Sequence, residues 1–368
     1  MAQGGKLRVG IVFGGQSAEH EISILSARNV LAAMDRLKFE PVLIGIDKAG
    51  RWLLQDAQKL LASPEDPRLV AIDAAQPVNM ASTFAVPDPG LATEASRLDV
   101  VFPVLHGTLG EDGTLQGLFE VARIPYVGAG VLGSAIGMDK DVMKRLLRDA
   151  AIPVADFRTV RRDRFEADPQ RACNELAVLG FPMFTKPANA GSSVGIRRVT
   201  HPEALADAIR FAFEFDTKVI AEAGVSGREI ELAVLGGRPP AVSAAGEIIV
   251  EHPDGFYSYD AKYIDEHGAR LELPAPISPD QQAQAQALAL HAFDVLECEG
   301  MARIDLFLTS EGRLLVNEIN TLPGFTAISM YPKLWALSGV SPTELVTRLI
   351  DLAVQRSHDR AKVRRSFP

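Results

Sequence analysis

MARIDLFLTSEGRLLVNEIN, residues Met301–Asn320, reads as two apolar strands joined at a tight turn. Side chains on a strand alternate between faces, so Arg303 and Asp305 share one face of the first strand, and Glu318 and Asn320 share one face of the second. A two-residue turn at Glu311-Gly312 sets Asp305 opposite Glu318 and Arg303 opposite Asn320. The other face then carries Ala302, Ile304, Leu306, Leu315, Asn317 and Ile319. Directly opposed carboxylates repel, and inside a protein they need a cation or a shared proton. Two carboxylates and an amide oxygen are hard donors suited to Mg2+, with phosphate oxygens and water completing the octahedron. An exposed hairpin with incidental charges and a proton-sharing dyad are the alternatives. The surrounding apolar runs weigh against the first, and Arg303, which favours ionised acids, against the second.

Upstream, FPMFTKPANAGSSVG (Phe181–Gly195) places Lys186 at a strand end, followed by a loop of small residues with hydroxyls at Ser192 and Ser193. Such a loop offers backbone N–H groups to a phosphate chain, and Lys186 adds a positive charge. It is not a Walker A motif, because the lysine precedes the loop and GK[ST] is missing. Lys140, at the head of a helix over Asp139–Ala150, is a second candidate phosphate lysine. In KVIAEAGVSGRE (Lys218–Glu229), exposed backbone between two strands suits the edge of an adenine, with Glu222 as acceptor from its amino group and Glu229 from ribose hydroxyls.

The first third of the chain has a different pattern. Leu7–Phe13 and Pro41–Asp47 are buried strands flanking a helix at Ala18–Met34 capped by Ser17, and a strand–helix–strand order implies a parallel sheet with a right-handed crossover. Asp99–Leu105 is a further strand, ending at His106. Ligand sites in such sheets lie beyond the carboxyl ends of the strands, which puts Gly14–Glu19 and His106–Gly113 on the functional edge. Asp56–Arg97 is expected to be mostly loop, Pro125–Gly133 a strand and turn, and Arg356–Pro368 a frayed basic tail. Further strands are expected at Val154–Val160, Phe181–Lys186, Gly195–Val199, Val219–Glu222, Glu229–Leu235 and Ala241–Val250. Helices are expected near 170–179 and 203–215, with a long one at Ser278–Glu297.

Composition narrows the classes. The 368 residues are 47% hydrophobic and 23% charged, ordinary for a globular chain of two or three domains or one large α/β barrel. With 38 Lys and Arg against 47 Asp and Glu, the net charge is −9, which argues against nucleic acid or an anionic membrane as partner. Cys173 and Cys298 have neither a zinc spacing nor a disulfide pattern. No signal peptide and no run of about 18 apolar residues is present, so a cytoplasmic location is expected. A Rossmann-type dehydrogenase is disfavoured because GGQSAE is not GxGxxG. A non-catalytic nucleotide-binding module is expected to lack one of Arg303, Asp305, Glu318 or Asn320.

These elements, in this order, resemble the ATP-grasp superfamily and, within it, the D-alanine–D-alanine ligase family, over about Leu7–Leu349. The motifs are GGQSAEHEIS (Gly14–Ser23), LHGTLGEDG (Leu105–Gly113), MDK (Met138–Lys140), KPANAGSSVG (Lys186–Gly195), EAGVSGRE (Glu222–Glu229), FYSYDAKY (Phe256–Tyr263) and ARIDLF…NEINTLPGFTAIS (Ala302–Ser329). The resemblance implies an N-terminal parallel α/β domain (1–132), a small central α+β domain (133–228) and a C-terminal, mainly antiparallel sheet domain with helices (229–368). It implies ATP-dependent joining of two D-alanines through an acyl phosphate, supplying peptidoglycan precursors, and a homodimer. Asp305, Glu318 and Asn320 match ligands of two Mg2+ ions, for which Mn2+ is a possible substitute. Lys140, Lys186, Ser193 and Lys262 match phosphate contacts, and Glu222, Val225, Glu229, Phe256 and Asn317 complete the nucleotide site. Glu19 matches the holder of the first ammonium, with His106 nearby, and Ser192 and Tyr263 match the residues that tie a lid loop to Glu19. Arg303 and Gly324 match the oxyanion-binding pair, and Ser329 a contact to the second carboxylate. Tyr263 in YDAKY implies an amide rather than an ester product. Asp260 stands where many relatives carry Glu, Ala188–Ala190 lacks the charges that some carry, and Asp56–Arg97 is longer than in compact relatives.

Overall fold

The computed structural model describes residues 5–78, 83, 97–251 and 268–364. Three sheets organise it. The first has the order β3-β2-β1-β4, with β1 (Leu7–Gly14), β2 (Phe39–Ile46) and β4 (Val100–Pro103) parallel and β3 (Trp52–Gln55) antiparallel at the edge. The second has the order β5-β8-β6-β7: β5 (Phe157–Arg161), β8 (Lys218–Ala223), β6 (Met183–Pro187) and β7 (Arg197–Val199), all antiparallel. The third has the order β12-β11-β9-β13-β14: β12 (Ala269–Glu272), β11 (Gly246–Val250), β9 (Gly227–Leu235), β13 (Met301–Thr309) and β14 (Leu314–Asn320). There β10 (Ala241–Val242) also pairs with β9. The parallel strands of the first sheet are as the strand–helix–strand order predicts, and the antiparallel third sheet is as the resemblance implies.

Several local expectations change. The first helix spans His20–Ala33, and Ser17 accepts from the Glu19 N–H instead of capping the helix. Pro125–Gly133 is not a strand: Tyr126 makes a single bridge to Val101, and Val131 begins a helix that runs to Met138. Ala241–Val250 is broken into two strands at Ser243, whose hydroxyl and N–H both bond to Ala233. The expected tail at Arg356 is helix as far as Ala361, part of Pro342–Ala361. Within Asp56–Arg97, the helix Ala57–Ala62 and a turn of 3-10 helix at Pro67–Leu69 are present. Cys173 and Cys298 are free thiols.

One face of the third sheet is buried in an apolar core. Ile230, Leu232, Val234, Ala302, Ile304, Leu306, Leu314 and Val316 pack on the helix Pro279–Val295 and on Met143 and Leu147 of the helix Lys140–Asp149. The opposite face is divided. Ala233, Leu235 and Met301 join a core shared with β1, the first helix, Tyr331, Trp335 and the final helix, while Glu229, Glu231, Arg303 and Asp305 occupy the remainder. The first and third sheets are thereby welded through one apolar cluster, and the polar half of that face opens beside the weld. Arg356 reinforces the joint: its guanidinium donates to the carbonyls of Tyr126 and Gly128, at 2.6 Å each, and lies 4.4 Å from the Tyr126 ring centre.

The second sheet is tied to the rest by charge. Lys144 is fully buried on the helix Lys140–Asp149. Its ammonium donates to the Asn317 carbonyl of β14 (2.8 Å) and lies 3.3 Å from Glu222 Oε1 of β8. Glu222 Oε2 accepts from Lys186 of β6 at 2.6 Å. Burial pushes the Glu222 carboxyl up, but the two ammoniums outweigh it and bring its pKa down to about 2. Nearby, Lys218 binds Asp139, the cap of the same helix, and Asp141.

Replacing Arg356 with Met should strand two carbonyls and lower the thermal midpoint by several degrees, a loss of roughly 2–4 kcal/mol. A midpoint equal to wild type in calorimetry contradicts this account. Glu222 should also govern acid stability. Its pKa is depressed by folding, so its contribution of about 3 kcal/mol is present above pH 4.5 and drains away as the pH falls toward about 2. A Glu222→Gln protein should lack that limb of the stability–pH curve, and an unaltered limb in urea titrations shows the assignment to be wrong.

Candidate active site

In the hairpin, Asp305 lies opposite Glu318 and Arg303 opposite Asn320, as expected, but the route differs. Thr309 pairs with Arg313 across a three-residue turn, Ser310-Glu311-Gly312, in which Gly312 is left-handed. This shifts the register by one. Asn317 then bulges out between the pairs Asp305–Glu318 and Leu306–Val316 and restores it. Consequently Leu314 and Val316 occupy the buried face where Leu315 and Asn317 were expected, and Asn317 joins Asp305 and Glu318 in lining a cavity.

A third acid stands on the same rung. Glu231 of β9 lies directly opposite Asp305 on the side away from Glu318. Sequence reasoning missed it, although its position two residues past Glu229 on one strand is the signal that finds it. Arg303 binds both oxygens of Asp305 at 2.7 Å and approaches Glu231 Oε2 at 3.0 Å. Lys140 Nζ donates to the Ala190 carbonyl (2.7 Å) and lies 3.6 Å from Glu318. The rung is thus held by cations from two elements.

Two cavities meet at this rung. One, of about 180 Å³, is lined by Lys140, Ser193, Val225, Glu229, Asp305, Asn317 and Glu318 with the apolar walls Phe184, Ile196, Leu306 and Phe307. The other, of about 110 Å³, is lined by Glu19, His106, Glu111, Arg303, Asn320, Gly324 and Ser329. Lys140, Ala190, Gly191, Ser192, Glu231 and Glu318 border both. Ser192 and Ser193 are both left-handed, a conformation uncommon away from glycine and found at functional loops. The Ser192 hydroxyl donates to Glu19 Oε1 at the head of the first helix. Glu222 and Lys186 border neither cavity: each is the other's partner behind the wall.

The second cavity has a rigid floor. His106 is buried. Its Nδ1 faces the Leu322 carbonyl (3.1 Å), which can only accept, so Nε2 is left to accept from the Ser26 hydroxyl (3.2 Å). Burial holds the ring below the ordinary histidine pKa, in keeping with this neutral tautomer. Ser26 also accepts the Phe325 N–H (3.1 Å), and Asn29 donates to the Phe325 carbonyl (2.9 Å). Both nitrogens of His106 therefore serve to fix Leu322–Phe325. A side-chain carbon on Gly324 would come within 2.8 Å of Ser329 Oγ, so glycine keeps that approach open. Ser329 Oγ is itself held by the Thr326 N–H (2.9 Å).

The hairpin suits a hard divalent cation. Among the described residues no three His, Cys, Asp or Glu side chains form a ready cage, but two opposed carboxylates and a neighbouring amide leave places for phosphate oxygens and water, which is how Mg2+ is held. The expected lid residues Phe256, Lys262 and Tyr263 lie outside the described residues.

Comparison with known proteins gives the family. Residues 8–129 match the family model "D-ala D-ala ligase N-terminus" and residues 146–351 match "D-ala D-ala ligase C-terminus". The chain is 50% identical over 360 residues to D-alanine–D-alanine ligase A of Escherichia coli K12, covering 95% of this chain and 96% of that protein. It is 49% identical over 363 residues to D-alanine–D-alanine ligase of Shouchella clausii, covering 97% of each. Among solved structures, the D-alanine–D-alanine ligase of Coxiella burnetii superposes with a TM-score of 0.81 at 40% identity, covering 97% of this chain and 96% of that one. VanG D-Ala:D-Ser ligase of Enterococcus faecalis superposes with a TM-score of 0.78 at 34% identity, covering 95% and 100%. With both halves matched and near-complete coverage by relatives this similar, the chain belongs to the D-alanine–D-alanine ligase family, whose fold is the three-domain ATP-grasp architecture.

Proposed function

We propose that this chain joins two molecules of D-alanine to D-alanyl-D-alanine, splitting ATP to ADP and phosphate through an acyl phosphate. The observation that carries the reading is the acidic rung set between two cavities, one walled with apolar side chains for a purine and the other carrying Glu19 and Arg303 for an amino acid. The proposed domains are 1–132, 133–228 and 229–368, and the proposed assembly is a cytoplasmic homodimer that supplies peptidoglycan precursors.

Asp305, Glu318 and Asn320 would hold two Mg2+ ions, for which Mn2+ could substitute; bound there, the metal neutralises the phosphate oxygens and orients the γ-phosphoryl group. Lys140 and Lys186 with Lys262 of the lid segment supply further positive charge, and Ser193 supplies loop donors. Val225, Phe256 and Asn317 line the nucleotide, and Glu229 meets its ribose. Glu222 stands behind Lys186 and anchors it; for the purine amino group to reach Glu222, that ion pair has to open.

Glu19 binds the ammonium of the first D-alanine, and His106 fixes the loop beneath it. The first carboxylate attacks the γ-phosphoryl group. The resulting acyl phosphate is destroyed by water, so the contact of Ser192 with Glu19, completed by Tyr263 of the lid, has a chemical purpose. The second amine attacks the acyl carbon, with its carboxylate at Ser329. Arg303 and the Gly324 N–H stabilise the oxyanion, each donor being worth about 3 kcal/mol or more.

Phosphate release should require D-alanine and Mg2+ together and should be negligible with L-alanine; equal rates with both enantiomers contradict the reading. Asp305→Asn should lower kcat by roughly 1,000-fold while leaving the affinity for adenosine largely intact. Wild-type turnover in that variant removes the metal assignment.

A further inference from the structure

Glu111 is a carboxyl that the reaction as described leaves unused. It sits in the loop after β4 with 7% of its surface exposed and lines the same cavity as Glu19, Arg303 and Ser329. Its Oε2 accepts the Gly107 N–H at 2.7 Å. Its Oε1 is buried and has no hydrogen-bond partner among the described residues. Native proteins rarely leave such an atom unsatisfied, and the exceptions call for a reason.

Glu19 supplies the context. A side-chain carbon on Gly191 would lie 3.0 Å from Glu19 Oε2 and 3.9 Å from Glu111 Oε2, and one on Gly107 would lie 3.2 Å from Glu19 Oε2. The two carboxyls therefore border the same space, and the glycines keep it open. Glu19 reaches it from the head of the first helix, Arg303 from β13 and Lys140 from the helix Lys140–Asp149. Burial first, and the charge of Glu19 second, push the Glu111 carboxyl well above the ordinary range; the Gly107 N–H, Arg303 and Lys140 pull the other way without offsetting them. The pair resembles two acids sharing a site, where one keeps its proton until a cation arrives.

We propose that Glu111 and Glu19 form a two-carboxyl cradle for the α-ammonium group of the first amino acid, which enters with release of the Glu111 proton. This rests on the ligase reading and extends it. An ammonium has three N–H donors, and Glu19 already gives Oε1 to Ser192. A second carboxylate supplies the missing acceptor. The proton balance is simple: the ammonium keeps its three protons, the Glu111 O–H bond breaks, the proton passes to solvent, and a charge-assisted contact forms in its place. The affinity for the amino acid therefore rises with pH through the titration of Glu111. A 2-hydroxy acid has no ammonium to displace that proton and is rejected from this position.

The test is calorimetric titration of D-alanine into the full chain with Mg2+ and a non-hydrolysable ATP analogue, at one pH in two buffers of different ionisation enthalpy. Wild type should release close to one proton per chain as the first D-alanine binds. Glu111→Gln should release none and bind about tenfold more weakly or worse, and Glu111→Asp should restore release. No proton release from wild type overturns the inference without recourse to any variant. Release or affinity unchanged in Glu111→Gln overturns it as well. Failure of D-alanine to bind wild type at all overturns the ligase reading itself.

Discussion

Three neighbouring strands of the third sheet carry Glu231, Asp305 and Glu318 across one rung. Strands lie about 4.8 Å apart, and like charges at that spacing near a protein surface repel by roughly 3 kcal/mol per pair. The sheet closes because cations are built into its surroundings. Arg303 comes from the same strand and binds two of the acids, whereas Lys140 comes from the helix that also carries the buried Lys144. The rung thus recruits a helix from outside its own sheet. The cavities lie where they do because the repulsion can be relieved only where these cations converge.

Lys144 makes the recruitment specific. A fully buried ammonium is costly unless it is paired and hydrogen-bonded, and its partners are Glu222 on the second sheet and the Asn317 carbonyl on the third. One cation therefore fixes the spacing between β8 and the acidic hairpin. Asn317 is the bulged residue, so the irregularity that restores the register of the acids also offers the carbonyl that Lys144 grips. Lys144 lies four positions after Lys140 on one helix face, a spacing that brings both lysines to the same side.

Much of this was legible in the sequence because strand alternation is unforgiving: once the hairpin was placed, the pairing of Asp305 with Glu318 followed. Even there two departures cancelled, a turn one residue longer than expected and a bulge of one residue, and nothing local in EGRLLVNE announces either. The helices Thr114–Ala122 and Val131–Met138 were hidden because their boundary residues are glycines, with Gly113 and Gly130 at the N-caps, where sequence reasoning looks for Ser, Thr, Asp or Asn. Arg356 was assigned to a tail by composition; its tertiary role, binding the carbonyls of Tyr126 and Gly128, leaves no mark on its own neighbourhood. Glu111 stood inside a quoted motif and was passed over, since its isolation from partners is a property of packing and not of spacing.

The division between rigid and adjustable parts follows from the same forces. The floor of the amino-acid cavity is fixed by groups that have no spare bonding capacity: both nitrogens of His106 are engaged, Ser26 donates and accepts at once, and Phe325 is held at its N–H and its carbonyl. Behind it lies an apolar cluster that unites the first and third sheets, so Gly324 and Arg303 cannot drift apart without disrupting a core. The opposite wall is built from the Ala190–Gly195 loop, joined to the floor at Glu19 through Ser192. A single polar contact of this kind, a hydroxyl on a carboxylate, is worth about 1.5–3 kcal/mol, less than the packed core. The proposed reaction, which must admit two zwitterions and then exclude water, needs that inequality: the side of Arg303 and Gly324 has to stay in register throughout, and the Ala190–Gly195 side has to open at little cost.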